Sequence, residues 1–329
     1  MRVMLTGATG FLGGHLLARL RAAGVEEIAA LVRSREVGER LAGLGVNPFR
    51  GSIEDPGSLR EALLHPTDCI FHVAADTSPW RGHEARQNRT NIDGTRNVLD
   101  SAQACGGRRI VHTSSVSAFG QQEQTLTESS PRLGKQSWIN YERTKAIAEE
   151  LVLEADAHGR IEAVVLNPAH ILGPGDTHNW ARMFLLIDQG KLPGAPPGSG
   201  AFADVREVAA AHVAAWKFPG HGEQFLLGGA HASFLELIQA IASELGRPAP
   251  GKPVPAAFLR VYAWVLDAFG RITRREPRLT PQAVSFTCHH LRVDSAKAIR
   301  ELDYRMTPLP TLVRDTCAWL REHGMLLPR

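Results

Sequence analysis

The chain of 329 residues carries 37 Lys and Arg against 34 Asp and Glu, a net charge of +3, and 43% of its residues are hydrophobic. That length allows one large or two unequal domains around a sizeable core. The basic residues are scattered without interleaved aromatics, which argues against nucleic-acid binding, and no apolar run reaches the ~18 residues of a membrane span.

The first strand begins at Arg2 and runs into Thr6-Gly7-Ala8-Thr9-Gly10-Phe11-Leu12-Gly13, after which Leu16, Leu17 and Leu20 continue a helical spacing. In such a strand-turn-helix each glycine has a job. Gly7 permits the tight turn, Gly10 lets the backbone approach a diphosphate, and Gly13 lets the helix pack close to the strand. The helix N-terminus then faces the anion.

A second strand over 27–32 leads into Arg33-Ser34-Arg35. In a dinucleotide fold this strand end meets the adenosine ribose, where a carboxylate accepts from the 2′-OH and an arginine pairs with a 2′-phosphate. No Asp stands there, so Arg33 predicts NADP(H) over NAD(H), with Ser34, Arg35 and Thr9 assisting. The alternative is that Arg33 and Arg35 are ordinary solvated charges. A third strand over 46–49 precedes Gly51-Ser52-Ile53, a turn expected beside the adenine.

A helix over 58–64 leads to a fourth strand over 69–75, whose unbroken apolar run predicts burial on both faces. Small Ala74 and Ala75 at its end leave room for a cofactor. The loop over 76–86 contains Trp80, and the next helix carries Asn91, Ile92, Gly94, Thr95, Val98 and Leu99. A fifth strand over 109–115 ends in hydroxyls, a helix spans 138–149, and a sixth strand over 161–167 is closed by Pro168. Strands alternating with helices in this way predict an α/β fold, a Rossmann-type doubly wound parallel sheet.

Beyond Pro168 the rhythm loosens. A turn over 172–176 and an irregular Pro/Gly-rich loop over 192–200 are followed by a helix over 204–216 and a strand over 224–227. Further helices are predicted over 234–245, 256–269, 294–302 and 309–323. The expected division is a cofactor-binding domain over 1–167, rejoined by 204–228, and a smaller, mostly helical substrate-binding cap over 168–203 and 229–329. The 256–269 helix is apolar over a wide face and runs into Gly270-Arg271-Ile272-Thr273-Arg274-Arg275. Burial within the cap is the expectation for it, and a place on a membrane surface, in a peripheral or lipid-handling protein, is the alternative.

Tyr141 and Lys145 lie four apart on one helix face. A cation beside a phenol lowers its pKa from ~10 toward working pH, so the pair can exchange a proton with a carbonyl or alcohol oxygen. Ser115 ends the preceding strand at the sheet's carboxyl edge, where ligands bind in open parallel sheets. The phosphate turn, the strand-end hydroxyl, the tyrosine and the lysine therefore converge on one place.

In these motifs the sequence resembles the extended short-chain dehydrogenases/reductases of the NAD-dependent epimerase/dehydratase superfamily, over nearly its whole length. Thr6 to Gly13 matches the cofactor turn, Phe71-His72-Val73-Ala74-Ala75 the central strand, Asn91-Ile92-Asp93-Gly94-Thr95 the asparagine motif and His112 to Gly120 the serine motif. Tyr141 to Lys145, Asn167-Pro168 and Glu301 to Arg305 complete the match. Val32-Arg33-Ser34 and Asn167-Pro168 place it nearest the dihydroflavonol-reductase and 3β-hydroxysteroid-dehydrogenase-like branch. Ser52 departs from the family's usual Asp, and the acidic pair of sugar dehydratases is missing from the serine motif.

The resemblance implies a catalytic set of Ser115, Tyr141, Lys145 and Asn91, the last supporting a proton path. It implies cofactor contacts from Gly7, Thr9, Gly10, Phe11, Leu12, Gly13, Arg33, Ser52, Ile53, Val73, Ala74, Ala75, Thr113, Tyr141, Lys145, Pro168, His170 and Ile171. The expected substrate pocket comprises Thr77, Trp80, Ser115, Trp138, His170 and Trp180, and the family's usual assembly is a homodimer. Trp80, Trp138 and Trp180 fit core packing as well as a cleft edge, and a structural role for His170 is the competing reading.

Residues 176–200 offer only Arg182 and Lys191 to clamp a second diphosphate, set among apolar side chains. The expected reaction is therefore NADPH-dependent reduction of an apolar aldehyde or ketone, or the reverse oxidation, with nucleotide-sugar epimerisation as runner-up. Cys69, Cys105, Cys288 and Cys317 are far apart, and neither they nor the histidines show metal spacing. With no room for a leader ahead of the first strand, a cytoplasmic protein is expected.

Overall fold

A computed structural model describes residues 1–327. Its centre is a seven-stranded, all-parallel sheet of β1 (Arg2–Thr6), β2 (Glu27–Val32), β3 (Asn47–Arg50), β4 (Cys69–His72), β5 (Arg109–Thr113), β6 (Glu162–Pro168) and β9 (Glu223–Leu227), in the order β3-β2-β1-β4-β5-β6-β9. The chain winds outward from β1 in both directions, which is the doubly wound Rossmann arrangement.

Alternation along each strand splits its side chains between two layers. Val3, Leu5, Phe71, Val111 and Val164 pack on one face with α1 (Phe11–Ala22) and α8 (Val205–Lys217). Met4, Ile70, Ile110, Ala163 and Val165 pack on the other face. There they meet α3 (Pro56–Ala62), α5 (Gly94–Ala104) and α6 (Asn140–Ala157). The strands are apolar throughout because both faces are covered. Between α4 (Glu84–Asn88) and α5 the chain makes a π-helical turn, Arg89–Asp93.

The second half adds structure that the sequence pattern did not disclose. A three-stranded sheet joins β7 (His170–Leu172), β8 (Ser199–Asp204) and β10 (Ala230–Ser233), with β8 between the other two. Its start, Ser199 and Gly200, falls in the stretch expected to be irregular. A core of Leu172, Phe184, Phe202, Phe234, Leu237, Ile241, Leu312 and Leu320 gathers α7 (Ala181–Asp188), α9 (Phe234–Leu245) and α13 (Leu309–Glu322).

One expectation is overturned outright. The helix expected to be buried, α10 (Ala256–Thr273), buries only Ala263, Asp267 and Gly270, and it leaves Phe258, Val261, Tyr262, Trp264, Val265, Phe269 and Ile272 exposed. Its neighbour is α11 (Pro281–Cys288), and the protein covers α10 along one narrow stripe only. The chain's last helices also include α12 (Ala296–Leu302), which packs on α8 and β9.

Candidate active site

The carboxyl ends of the central strands open into a cleft of about 1130 Å3. Its floor at one end is the turn after β1. Gly7 has φ +75°, and a Cβ there would lie 2.8 Å from the Ala74 backbone nitrogen. A Cβ on Gly13 would lie 2.0 Å from the Gly7 carbonyl oxygen, so α1 can approach β1 this closely only with glycine at that position. The α1 N-terminus has Gly10 as its cap, with no side-chain cap and no acidic residue in the first turn. Its N–H groups are thus available to an anion. The cradle fits a dinucleotide diphosphate.

Thr9, Phe11, Leu12, Ser52, Ile53, Val73, Ala74, Ala75, Thr113, Pro168, His170 and Ile171 line the same cleft with Gly7, Gly10 and Gly13. Arg33 lines it at the end of β2, exposed and with no ion pair among the described residues. Of its expected helpers, Thr9 lines the cleft and the other two are engaged elsewhere. Ser34 caps α2 (Arg35–Ala42) by accepting from the Val37 N–H, and Arg35 pairs with Glu39 at 2.8 Å.

Ser115, Tyr141 and Lys145 all line this cleft. Ser115 follows β5 in extended conformation, and its Oγ accepts from the Ser117 N–H at 3.1 Å. That leaves its proton to donate, and the hydroxyl stands near enough to the Tyr141 phenol to favour the phenolate. Lys145 is 3% exposed and donates to the Thr113 carbonyl at 2.7 Å. Burial lowers the Lys145 pKa to about 8, opposed by the Glu149 carboxylate.

The expected depression of the Tyr141 pKa does not hold here. Burial pushes that phenol above its ordinary range, Asp76 adds to the rise, and the Ser115 hydrogen bond opposes it. Lys145 spends its charge on the Thr113 carbonyl rather than on the phenol.

Asn91 stands outside the cleft lining. Its Oδ1 accepts from the Asp76 N–H at 2.7 Å, and its Nδ2 donates to the Asp76 carbonyl at 2.9 Å and to Thr144 Oγ1 at 3.0 Å. It therefore ties the loop after β4 to α6, the helix that carries Tyr141 and Lys145, and acts as a positioning residue.

Of the residues expected at the substrate end, Thr77, His170 and Trp180 line the cleft, whereas Trp80 and Trp138 do not. Trp80 turns inward, 8% exposed, and packs edge-on against His83, leaving Pro79 to face the cleft. Trp138 is 49% exposed, outside the lining. His170 packs against Trp180 and Phe202 with ring centroids 5.0 and 5.6 Å away. Burial lowers its pKa to about 4, which keeps it neutral.

Three further residues, to which the sequence assigned no role at the site, take part in it. Glu149 lies one turn beyond Lys145 on the same face of α6 and accepts from Ser114 Oγ at 2.6 Å, Asn167 Nδ2 at 2.5 Å, Gln224 Nε2 at 2.7 Å and Arg132. Asn167 also donates to the Ser115 carbonyl at 3.0 Å, so this network fixes the backbone at Ser115. The i, i+4, i+8 series Tyr141, Lys145, Glu149 was the available signal. Glu142, 2% exposed, lines the cleft, and burial raises its pKa against hydrogen bonds with Ser137 and Gln121.

Comparison with known proteins agrees with this geometry. Residues 3–228 match the model of the NAD dependent epimerase/dehydratase family. The chain is 31% identical over 331 residues to sterol demethylase protein B of Methylococcus capsulatus, covering 99% of this chain and all of that protein. It is 33% identical over 323 residues, 92% of each protein, to a 4-hydroxy-2-methyl-3-oxo-4-farnesyl-3,4-dihydroquinoline-1-oxide ketoreductase of Stigmatella aurantiaca. The crystal structure of gox2253 superposes with a TM-score of 0.84 over 99% of both chains at 28% identity. With its glycine cradle, its tyrosine and lysine on one helix and these relatives, the chain belongs to the NAD-dependent epimerase/dehydratase family of extended short-chain dehydrogenases/reductases, enzymes that work with a nicotinamide cofactor.

Proposed function

We propose that the protein is an NADP(H)-dependent oxidoreductase that reduces an apolar aldehyde or ketone, or oxidises the corresponding alcohol. The observation that carries this reading is the distribution of cations in the cleft. Its lining Lys and Arg residues are Arg33, Arg86 and Lys145. Arg33 stands at the adenosine end, Arg86 is paired with Asp76 at 2.6 Å, and Lys145 is buried against Thr113. Among the described residues no lining Lys or Arg is left to clamp a second diphosphate, which a nucleotide-sugar substrate would bring. Trp180, Phe286, Leu291 and Pro79 give the substrate end apolar walls, beside uncharged or weakly basic groups such as Gln121, Asn179, Thr287 and His289. The names of the sterol and farnesyl-quinoline relatives point the same way.

The turn of Gly7, Gly10 and Gly13 would hold the diphosphate, Arg33 the 2′-phosphate, and Lys145 with Tyr141 the nicotinamide ribose. When bound, the nicotinamide supplies or takes the hydride. Tyr141 donates the proton to the substrate oxygen in reduction and accepts it in oxidation, and Ser115 orients that oxygen by a hydrogen bond. Glu142, which lines the cleft, offers a hydrogen bond to a second polar group on the substrate.

A screen of NADPH oxidation across hydrophobic aldehydes, steroid and flavonoid ketones and nucleotide sugars tests the reading. Turnover of an apolar carbonyl compound is expected. Conversion of nucleotide sugars alone, without net NADPH use, would replace it by epimerisation.

The cofactor preference rests on Arg33. Arg33→Asp is expected to reverse it, because a carboxylate repels a 2′-phosphate and accepts from a 2′-OH. Titration of both cofactors into both proteins measures this, and tighter NAD binding by the unaltered chain would contradict it. We also assign a homodimer built on α5 and α6, which sedimentation at micromolar concentration tests.

A further inference from the structure

Among the described residues, fifteen large hydrophobic side chains are exposed, and seven of them lie on the eighteen residues of α10. Phe258, Val265, Phe269 and Ile272 are 62, 61, 65 and 81% exposed. Spaced at i, i+7, i+11 and i+14, they form one outward stripe that Val261 and Tyr262 widen. A patch of this kind marks an interaction surface. The helix has a single carboxylate, Asp267, which is buried and held by Arg271 at 2.5 Å, so it brings no anion to the outward face.

Charge identifies what covers it. Residues 252–278 contain six basic side chains, Lys252, Arg260, Arg271, Arg274, Arg275 and Arg278, against two acidic ones, Asp267 and Glu276. All six basic residues are exposed. Lys252 precedes the helix and Arg274, Arg275 and Arg278 crowd its C-terminal end, while Arg260 and Arg271 lie round the helix from the stripe, next to its covered side. An apolar stripe with basic residues at its ends, three of them just past its C-terminus, and an aromatic pair in Phe258 and Tyr262 stacked at 6.1 Å, matches the boundary between acyl chains and anionic headgroups.

We propose that α10 is a membrane-docking helix that seats the protein on an anionic lipid surface, apolar stripe inward and Arg274, Arg275 and Arg278 at its end against the headgroup phosphates. The site lies close to the chemistry. A groove of about 570 Å3 runs along α10 between Tyr262, Phe269, Arg275 and Arg278. The adjoining α11 presents Ala283, Phe286 and Thr287 to the catalytic cleft, with the Phe286 ring 6.4 Å from that of Tyr141. Docking therefore brings the substrate end of the cleft near a reservoir of apolar molecules; this last step rests on the function proposed above.

The test is flotation of the full chain with vesicles of phosphatidylcholine alone and of an equimolar mixture with phosphatidylglycerol. Binding to the mixed vesicles is expected, weaker by about tenfold or more on the neutral ones and reduced by high salt. The double variant Val265→Glu, Ile272→Glu changes only exposed positions and should bind the mixed vesicles about tenfold less or weaker still, because it buries two carboxylates at the headgroup boundary. Its turnover of a water-soluble carbonyl compound should match that of the unaltered protein. No flotation with either vesicle overturns the proposal. So does a self-associated species in sedimentation that the double variant splits, which would assign the stripe to a second copy of the chain. Flotation needs no turnover, so its failure leaves the oxidoreductase reading standing, and an inactive protein that floats would count against that reading alone.

Discussion

Tyr141→Phe is expected to lower kcat by about 10²–10⁴-fold while leaving cofactor binding nearly intact. The phenylalanine fills the same place beside Phe286 and Ser115 and removes one oxygen. Three other lining groups near the site are poorly suited to replace it. Lys145 is committed to the Thr113 carbonyl, His170 is neutral behind Trp180, and the Ser115 hydroxyl is a weak acid.

The pH dependence follows from the same groups. Reduction needs the neutral phenol, and burial keeps Tyr141 protonated beyond its ordinary range, so that proton is in place throughout neutral pH. Lys145 loses its charge at about 8. The rate of reduction should hold through neutrality and fall as pH rises past that value, whereas oxidation, which needs phenolate, should rise with pH. Stopped-flow rates at saturating cofactor measure both limbs. Full activity in the phenylalanine variant would sink the assignment.

Much of this site was readable in the sequence because its parts are local. The turn from Gly7 to Gly13, the i, i+4 pair of Tyr141 and Lys145 and the strand-end hydroxyls each sit within one element, and a parallel sheet brings strand ends to one edge whatever the helices do. Seven parallel strands follow from the same alternation of apolar runs. What stayed hidden depends on long-range pairing. β7, β8 and β10 are three to six residues each and pair across distant segments, so no periodicity announces them.

Side-chain direction was hidden too. Trp80 and Trp138 lie near the cleft in sequence order, yet one folds inward and the other points to solvent. The tyrosine's pKa went the other way because spacing reveals a neighbouring lysine and says nothing of burial or of the carbonyl that lysine prefers. For α10 the apolar pattern was plain. Whether the protein would cover it was not, since a wide apolar face reads alike in a core and at a lipid surface.

The network behind Ser115 leads to the second large effect. Glu149→Gln keeps the shape of the side chain but removes its charge and turns an NH2 group toward donors that need an acceptor. Glu149 is 3% exposed and receives Ser114, Asn167, Gln224 and Arg132. One oxygen cannot serve all four. Arg132, one-third exposed, can turn to water, so the cost falls on the buried donors. At about 1–3 kcal/mol for each buried donor left unpaired, a loss of about 3 kcal/mol in unfolding free energy is expected from denaturant midpoints.

A second readout separates positioning from mere stability. The Glu149 carboxylate holds the Lys145 pKa up against burial. Without that charge the ammonium is lost at a pH below about 8, so the alkaline fall in the reduction rate should move to lower pH. Measured where the variant is fully folded, kcat should drop more than KM, because Asn167 loses the anchor from which it holds the Ser115 carbonyl. A variant that is less stable but keeps both the pH profile and kcat would reduce Glu149 to a support of the fold and disconnect it from the proton transfer at Tyr141.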